Sequence, residues 1–483
     1  LSVHHSHWWY NLVWLPSWIE DVMSSSYRKV LLGSGSSVNG WILEYDPAFT
    51  NTSGIHNKGV SQVRAADDTD DGNMFFGVCA ADGVNGAIFV KFNKDGEVLA
   101  ETKLADATTS KATSNFCMDV DSSDNVFISD RQAGKVCITK LNSSLVLQQI
   151  KTYLIANLGP DSNIPIACRG TDLYVAMNIS GLTTSQRNNA MKVNTSNLSV
   201  VTSPRVLTGA GEGPQCVHID SNGQAYVGGE FRGSISGFAF SPVNVNMSTD
   251  FTRTTNQING QTVQGGKFYD ITTDSSSNIY VAGYQQSNAT TTSKNTYMKF
   301  NSTGTLQWSK VFNCPSNPGF FGINGNTSEN GNSIHITDAG LVSVYYGNSN
   351  STGEIFISLW NPSTGSIITS LKVTNTTNSW GKSPVRTGGH VFTTEEHVYV
   401  QAIADNKVYI LKLPITNTNT VFGSHTIGGD TITIQAGGCS TTTLTHTFDA
   451  QGAGNGTNNS LSSQNETFFA TTAVSKNTNL IEL

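Results

Sequence analysis

The chain alternates between short apolar runs and short polar turns over most of its length. One repeated element reads Asp119-Val120-Asp121-Ser122-Ser123-Asp124-Asn125-Val126-Phe127-Ile128, and similar elements follow at His218–Val227 and Ile271–Val281. Each is an alternating run, an Asp/Ser/Asn/Gly turn and a β-branched and aromatic run. Asn and Gly tolerate left-handed turn conformations, while Val, Ile and Tyr suit a half-buried strand. The pattern therefore predicts β-hairpins.

The hairpins recur at a regular distance. The aromatic positions Phe75, Phe127, Tyr174, Tyr226 and Tyr280 lie about 47 to 54 residues apart, and weaker copies centre on Val342 and Tyr399. A third strand-like run follows each hairpin, and often a turn and a fourth run. Four short antiparallel strands per 40 to 50 residues is the spacing of a propeller blade. We therefore predict an all-β fold, a β-propeller of four-stranded antiparallel sheets.

The number of blades is less directly encoded. Good repeats run from residue 60 to about 423, and the hairpin Lys29–Tyr45 resembles the inner part of one more blade. A strand from the other end of the chain could complete it, so that one sheet built from both termini closes the ring. We therefore predict eight blades, with seven blades and an N-terminal extension as the alternative.

Three segments carry a family resemblance. Asp119–Phe127, Asp274–Tyr280 and Lys299-Phe300-Asn301-Ser302-Thr303-Gly304-Thr305-Leu306-Gln307-Trp308 resemble the SBBP type of β-propeller repeat. The similarity spans residues 60 to 415. That family occurs in secreted bacterial proteins and in proteins of tailed phages, and it has no fixed catalytic residues. The resemblance thus implies a propeller scaffold without an inherited active site.

The two ends differ from the repeats, which predicts an aromatic arm over residues 1–26, a propeller over 27–423 and a polar β extension over 424–483. The arm contains Trp8, Trp9, Trp14 and Trp18, half of all tryptophans. We expect them either to plug the first blade or to contact another subunit, because Trp contributes strongly to interfaces. The Thr/Ser/Asn/Gly-rich extension could complete the ring, add to a neighbour's sheet or form a small appendage.

Composition narrows the function. Of 483 residues only 13% are charged, the net charge is −7 and the pI is about 5.8, so we expect no nucleic-acid partner. No apolar stretch reaches 18 residues, which predicts no membrane-spanning helix.

The seven cysteines have no CxxC spacing, and most lie in strand-like runs, so we expect buried thiols and folding in a reducing compartment. Leu1–Tyr10 has no signal-peptide pattern. Asn-x-Ser/Thr triplets such as Asn178 and Asn288 would favour a secreted protein instead.

Candidate chemistry is sparse. The strongest metal candidates are Asp68, Asp70 and Asp71, which also fit the first turn of a blade, the interpretation we favour. His4, His5 and His7 lack an evident further ligand. The Glu395–His397 cluster and the pair His218 and Asp220 are better explained as turn and strand residues than as a hydrolase site. We expect no catalytic residue, no bound metal and no cofactor.

These observations favour a non-enzymatic structural component of a virus particle, most simply a bacteriophage tail, nozzle or fibre-associated protein assembled in the host cytoplasm. Its expected partners are copies of itself and other virion proteins, with host-surface glycans as a further class. The first alternative is a secreted carbohydrate- or surface-binding module. The second is a propeller glycosidase or lyase, which would need two carboxylates facing each other across a funnel.

Overall fold

The chain folds as an all-β protein. The computed structural model describes residues 29–30, 40–47, 61–65, 72–79, 86–106, 116–132, 134–156, 158, 164–179, 188–208, 213–232, 236–243, 252–258, 261–287, 294–315, 332–348, 353–377, 380, 391–404, 407–451, 461–465, 469–472 and 478–482. Within these ranges there is no α-helix, and one 3₁₀ turn spans Thr418–Val421.

The described residues form thirty-six strands, which follow one another along the chain. They are β1 (Lys29–Val30), β2 (Trp41–Tyr45), β3 (Ser61–Ala65), β4 (Met74–Cys79), β5 (Ala87–Phe92), β6 (Val98–Asp106), β7 (Cys117–Val120), β8 (Val126–Gln132), β9 (Lys135–Leu141), β10 (Leu147–Ile155), β11 (Ile166–Arg169), β12 (Asp172–Asn178), β13 (Asn188–Asn194), β14 (Val200–Thr208), β15 (Gly213–Ile219), β16 (Ala225–Arg232), β17 (Ser236–Val243), β18 (Thr252–Ile258), β19 (Gln261–Thr273), β20 (Ile279–Ser287), β21 (Lys294–Phe300), β22 (Leu306–Asn313), β23 (Asn332–Thr337), β24 (Gly340–Asn348), β25 (Gly353–Trp360), β26 (Ile367–Asn375), β27 (Val391–Thr393), β28 (His397–Ala404), β29 (Lys407–Pro414), β30 (Gly423–Ile427), β31 (Asp430–Ala436), β32 (Ser440–Thr443), β33 (His446–Gln451), β34 (Leu461–Asn465), β35 (Phe469–Thr472) and β36 (Thr478–Glu482).

These strands form six sheets in a β-propeller arrangement. Apart from the parallel pair β1–β36, neighbouring strands are antiparallel, and consecutive strands form meanders such as β3-β4-β5-β6 and β7-β8-β9-β10. One sheet has ten strands because β15–β18 and β19–β22 are joined within it and β32 and β33 are added to them. The described strands do not form the eight or seven separate four-stranded sheets that the sequence predicted. Sheet size varies because two meanders share hydrogen bonds and because strands from the C-terminal extension are added.

The first strands of successive meanders surround a common axis. Contacts join β3 to β7, β7 to β11, β11 to β15, β15 to β19, β19 to β23, β23 to β27 and β27 back to β3. Separate clusters of buried apolar side chains fill the spaces between successive meanders. A meander cannot bury both its faces alone, and stacking around an axis buries them.

Both ends of the chain contribute to the sheet that closes the ring. Trp41–Tyr45 pairs with β29 on one side and with β36 on the other, and β1 pairs only with β36 among the described strands. The predicted eighth blade is therefore not formed from Lys29–Tyr45. Its strand β2 is instead the outer strand of the β27–β29 sheet, because Trp41, Leu43 and Tyr45 are needed to fill the core between that sheet and the first meander.

We call the closed ring of meanders the wheel, and the strand of each meander farthest from the ring's axis its outer strand. The C-terminal extension runs around the outside of the wheel. In chain order, β31 pairs with β26, β32 with β22, β33 with β18, β34 with β10, β35 with β6 and β36 with β2. We call β31–β36 (Asp430–Glu482) the belt. Of the predicted alternatives, completion of the ring is found for β36, whereas the other belt strands are added to further sheets of the same chain, which was not predicted. Covering outer strands removes edges that could otherwise pair with another chain.

One outer strand differs from the others. Among the described residues, β14 pairs only with β13, whereas the other six outer strands each carry a belt strand. Pro204 lies within β14, and none of the six covered strands contains proline. Because proline has no N–H to donate, it suits a strand edge that has no partner.

Side chains at the head of each turn explain the repeat motif. Oδ1 of Asp274 accepts hydrogen bonds from the backbone N–H groups of Ser276 (3.0 Å) and Asn278 (2.9 Å), and Asp121 and Asp220 do the same in their turns. Asn301 has the same role between third and fourth strands, where Gly304 adopts a positive φ of 75°. Asx turns of this kind favour Asp and Asn at the first position.

The recurring lysine on the third strand joins neighbouring meanders. Lys299 lies over the Tyr280 ring at 5.1 Å and donates to the Pro362 carbonyl oxygen (3.2 Å), which also accepts from Trp308 Nε1 (3.0 Å). Equivalent donations run from Lys91 to Ser143 O, from Lys140 to Thr195 O and from Lys412 to Lys94 O. The last of these joins the final meander to the first, so the motif takes part in closing the ring.

Candidate functional site

A cavity of about 300 Å³ lies at one end of the wheel, where the first strands of four meanders end. The lining contains hydroxyl groups, carboxyl groups and one imidazole, and none of its described residues is Phe, Trp or Tyr. The lining residues are Ser221, Thr273, Asp274, Ser275, His335, Ile336, Thr337, Asp338, Thr393, Thr394 and Glu395.

Most polar groups of this cavity are already engaged in holding the fold. Asp274 caps its own turn and its Oδ2 accepts from Asn278 Nδ2 (2.8 Å) and Tyr280 OH (3.0 Å). His335 Nδ1 is hydrogen-bonded to Thr393 Oγ1 of the next meander. Asp338 and Glu395 are exposed at the rim. The cavity could hold a small polar group, and the described residues do not arrange a nucleophile, a base and an orienting acid there.

The sequence-predicted acid and histidine candidates lie on strands of the meanders and in the turns that connect them. Glu395 and Glu396 are exposed in the turn between β27 and β28, and the His397 backbone N–H donates to Thr394 Oγ1 (3.1 Å). His218 Nε2 is 2.9 Å from Thr273 Oγ1 of the neighbouring meander. Asp220 is buried and caps its own turn, with Tyr226 OH at 3.3 Å from Oδ2. These contacts give the residues structural partners within and between meanders.

The other predicted sites lie outside the described residues. These are Trp8, Trp9, Trp14 and Trp18 of the aromatic arm, His4, His5 and His7, and the metal candidates Asp68, Asp70 and Asp71. In the part of the chain that the structure describes, no group of three or more His, Cys, Asp or Glu side chains could hold a metal ion. No described helix is long and apolar enough to cross a membrane.

Sequence reasoning missed a buried polar cluster at the closure. Glu44 of β2 accepts from Tyr409 OH (3.0 Å) and from Asn479 Nδ2 (2.8 Å), and it pairs with Lys407 Nζ at 3.4 Å. Asp430 at the start of the belt also contacts the Tyr409 hydroxyl, whose single proton is shared between the two carboxylates. Burial and the two carboxylates raise the Tyr409 pKa above its ordinary range. The cluster joins the first strands of the chain, the last meander and both ends of the belt.

No signal in the sequence announces this cluster. Glu44 lies in an apolar run, where an isolated acid is usually a defect, and its partners are hundreds of residues away in the chain. The chemistry it supports is structural, because a buried carboxylate needs such partners to remain in the interior.

The six cysteines whose side chains the structure describes are thiols. Cys117, Cys137, Cys216 and Cys314 are buried, and Cys168 and Cys439 are partly buried. Burial beside Asp270 raises the pKa of Cys216 well above its usual value. A protonated, buried thiol is a poor nucleophile, so Cys216 is not suited to covalent catalysis.

Comparison with known proteins yields structural likeness only. Neither a protein-family model nor a curated protein matches the chain. A protein of unknown function from Dyadobacter fermentans is similar over 77% of this chain and 98% of its own, with 10% identity and a TM-score of 0.37. The N10 neuraminidase-like protein of A/little yellow-shouldered bat/Guatemala/060/2010 is similar over 78% of this chain and 99% of its own, with 10% identity and a TM-score of 0.32. NanB sialidase from Streptococcus pneumoniae is similar over 76% of this chain and 70% of its own, with 9% identity and a TM-score of 0.34. Similarities this low assign no activity to the chain.

Proposed function

We propose that this chain is a non-enzymatic, seven-bladed β-propeller that serves as a structural component of a virus particle, of the kind found in bacteriophage tails. The observation that carries the scaffold proposal is the use of the repeated polar residues. The Asp and Asn side chains cap turns, and the lysines bridge to the next meander. Side chains used in this way stabilise the fold, and few of the repeated polar groups remain for catalysis.

The count of seven blades rests on the inner circle. Seven first strands contact one another in a closed series from β3 to β27 and back to β3. The ten-stranded sheet then counts as two blades, β15–β18 and β19–β22, and β2 supplies the fourth strand of the last one. Closure by a strand from the opposite end of the chain ties the ring together, because opening it requires separating both termini.

Three observations support a particle component. The described cysteines are thiols, which fits assembly in a reducing cytosol. The surface has few charges and abundant Ser, Thr, Asn and Gly. The belt covers six outer strand edges with the chain's own strands, which suits a protein that must remain unaggregated at high local concentration. The resemblance to SBBP repeats is compatible with such a role.

Quantitative mass spectrometry of density-purified particles tests this proposal. A particle component is expected at a constant ratio to the major capsid protein through successive purification steps and after a high-salt wash. Recovery only in the soluble or secreted fraction would overturn the particle role. Binding of the isolated protein to a glycan array would then favour the surface-binding alternative.

The non-enzymatic part of the proposal has a separate test. Polysaccharide hydrolysis or lysis would be assayed with wild-type protein and with the double variant Asp338→Asn, Glu395→Gln, whose substitutions lie at exposed turn positions. No turnover above buffer is expected for either protein. Turnover by the wild type that the double variant loses would assign a reaction to the cavity.

A further inference from the structure

Two cysteines, Cys314 and Cys439, lie at the end of the ladder that joins the belt to the outer strand β22. Four residue pairs connect β22 with β32 in an antiparallel register, from Lys310 opposite Thr443 to Asn313 opposite Ser440. The ladder ends there, and one further step in the same register would place Cys314 opposite Cys439. A Cβ atom placed on Gly438 would lie 3.1 Å from Pro315 Cγ, so the two segments are still close together at this point.

The hydrogen-bond alternation identifies the type of this pair. The Leu444 N–H donates to Ser309 O (3.1 Å), so this directly opposite pair is hydrogen-bonded. In antiparallel ladders, hydrogen-bonded and non-hydrogen-bonded pairs alternate. The same alternation makes three pairs non-hydrogen-bonded: Lys310 with Thr443, Phe312 with Thr441, and Cys314 with Cys439. The Cys439 N–H accordingly donates to Ser370 Oγ (3.2 Å) on the neighbouring meander. In such pairs the Cα atoms are about 4.5 Å apart, within the range that a disulfide spans.

Side-chain contacts show that the pair shares one face. Lys310 Nζ donates to Thr443 Oγ1 (2.8 Å), so directly opposite side chains of this ladder meet. Since side chains alternate, Cys314 and Cys439 lie on the same face as Lys310 and Thr443. Cys314 is 4% exposed in the cluster around Tyr297, Phe312 and Trp360, and Cys439 packs against that cluster from its edge.

We propose that Cys314 and Cys439 form a disulfide when the protein meets an oxidising environment, and that this bond fixes the belt to the wheel. A low-molecular-weight disulfide such as oxidised glutathione is the oxidant. The Cys439 thiolate attacks one of its sulfurs and releases one glutathione thiolate, giving a mixed disulfide. The Cys314 thiolate then attacks the Cys439 sulfur and releases the second glutathione. Two protein thiols are oxidised, one disulfide is reduced to two glutathione molecules, and the two protons lost by the protein thiols pass to the two glutathione thiolates that leave.

The position of the pair gives the bond a structural effect. It would join residues about 125 positions apart in the sequence, closing a loop that includes the last two meanders and the start of the belt. Cross-links over long loops restrict the unfolded chain most. The belt would assemble through hydrogen bonds in a reducing compartment and become covalently attached afterwards.

The reactivity of the thiols sets the conditions. Burial raises the pKa of Cys439 to about 11, so the thiolate is a small fraction at neutral pH. The rate of disulfide formation is therefore expected to rise about tenfold per pH unit between pH 7 and pH 10.

The test treats native, full-length protein with oxidised glutathione at pH 8.5, followed by thiol counting after denaturation and peptide mapping. We expect seven thiols to fall to five, with one linked peptide pair that contains Cys314 and Cys439. The variant Cys439→Ser should keep all six of its thiols, whereas the matched variant Cys168→Ser, also at a partly buried cysteine, should fall from six to four.

Amide exchange provides the second readout. In the oxidised wild type, exchange over β32 should slow at least about tenfold relative to the reduced protein, because the cross-link opposes local opening. Cys439→Ser should show no such difference. Seven remaining thiols, a glutathione adduct on Cys439 without a bond to Cys314, or a link between other cysteines would each overturn the proposal.

Discussion

The strands of the meanders and the strands of the belt are attached in different ways. In β29 seven of eight residues are buried, whereas four of the five residues of β34 are exposed. The meander strands carry Val, Ile, Leu and Tyr into the cores between neighbours, while β32 and β34 consist mainly of Ser, Thr, Gln and Asn. Burial of apolar area thus stabilises the wheel, and main-chain hydrogen bonds hold the middle of the belt.

The ends of the belt do not share the polar character of its middle. Ile432 and Ile434 in β31 and Leu480 and Ile481 in β36 are buried against the meanders. The belt is therefore fixed at both ends by apolar contacts and by the Glu44–Tyr409–Asp430–Asn479 cluster, and its middle follows the outer strands. The comparison teaches that one chain can use hydrophobic packing to close a ring and backbone pairing to protect the ring's edges.

Removing the entire C-terminal extension is expected to have the largest effect on stability. A protein ending at residue 422 loses Ile427, Ile432, Ile434, Leu444, Leu480 and Ile481, all buried. The free energy of unfolding should fall by an amount on the order of 10 kcal/mol as an upper estimate. The uncovered outer strands would also promote association between molecules. Thermal unfolding and light scattering measure both effects. A protein ending at residue 472, which loses only the last two of these side chains, should lose about a third as much, and an unchanged Tm in the longer truncation would contradict the account.

Single substitutions sharpen the contrast. Trp360 is fully buried, lies 4.6 Å from the Tyr297 ring and donates from Nε1 to Ser343 Oγ (2.7 Å). Trp360→Ala should lower the free energy of unfolding by about 3–5 kcal/mol. Leu461→Ala, in the middle of the belt, should cost less than about 1 kcal/mol because Leu461 is only partly buried. Equal losses in denaturant titrations would show that the two classes of strand are not distinct.

Acid should weaken the belt through His446. Its Nε2 donates to Gln285 Oε1 (2.7 Å), and burial lowers its pKa to about 3. Because the unfolded histidine binds a proton near pH 6.5 and the folded one does not, this contribution is complete above about pH 6.5 and is lost as pH falls toward 3. Between pH 7 and pH 4 the loss is at most about 3 kcal/mol. His446→Gln should flatten the Tm–pH curve in this window, and an unchanged slope would remove His446 as its cause.

The sequence pattern predicted the meanders better than the belt. Runs such as Ile88–Phe92 and Val408–Leu411 alternate or cluster apolar residues next to Asx turns, so strand and turn are both encoded locally. The belt has no such pattern because its Ser, Thr and Asn side chains face solvent, and its partners are chosen by which edges remain open. The prediction of closure from both termini was right in kind, while the eighth blade was wrong because β2 joins an existing sheet.

The candidate sites were harder still to predict. The acids of the repeats could be assigned to turns from their spacing with Asn and Gly, as Asp274 illustrates. The Glu44 cluster and the Cys314–Cys439 juxtaposition depend on strand register between distant segments. Register across a long connection is fixed by tertiary packing, which a single sequence does not display.

Proline substitutions give the smallest and most local effect. The N–H of Thr442 belongs to a hydrogen-bonded pair with Val311, whereas the N–H of the adjacent Thr441 points away from β22. Thr442→Pro should cost about 1 kcal/mol and increase proteolysis near residue 440, because it removes a ladder donor. Thr441→Pro is the matched control, expected to have the smaller effect. The reverse order would contradict the register.

Residue-resolved amide hydrogen exchange across Ser440–Leu444 tests most directly whether backbone pairing holds the belt. If it does, protection alternates along the strand, with Thr442 and Leu444 exchanging at least about tenfold more slowly than Thr441 and Thr443. Uniformly fast exchange over these five residues would show that the belt is not paired with β22, and the account of the ring's protected edge would fail.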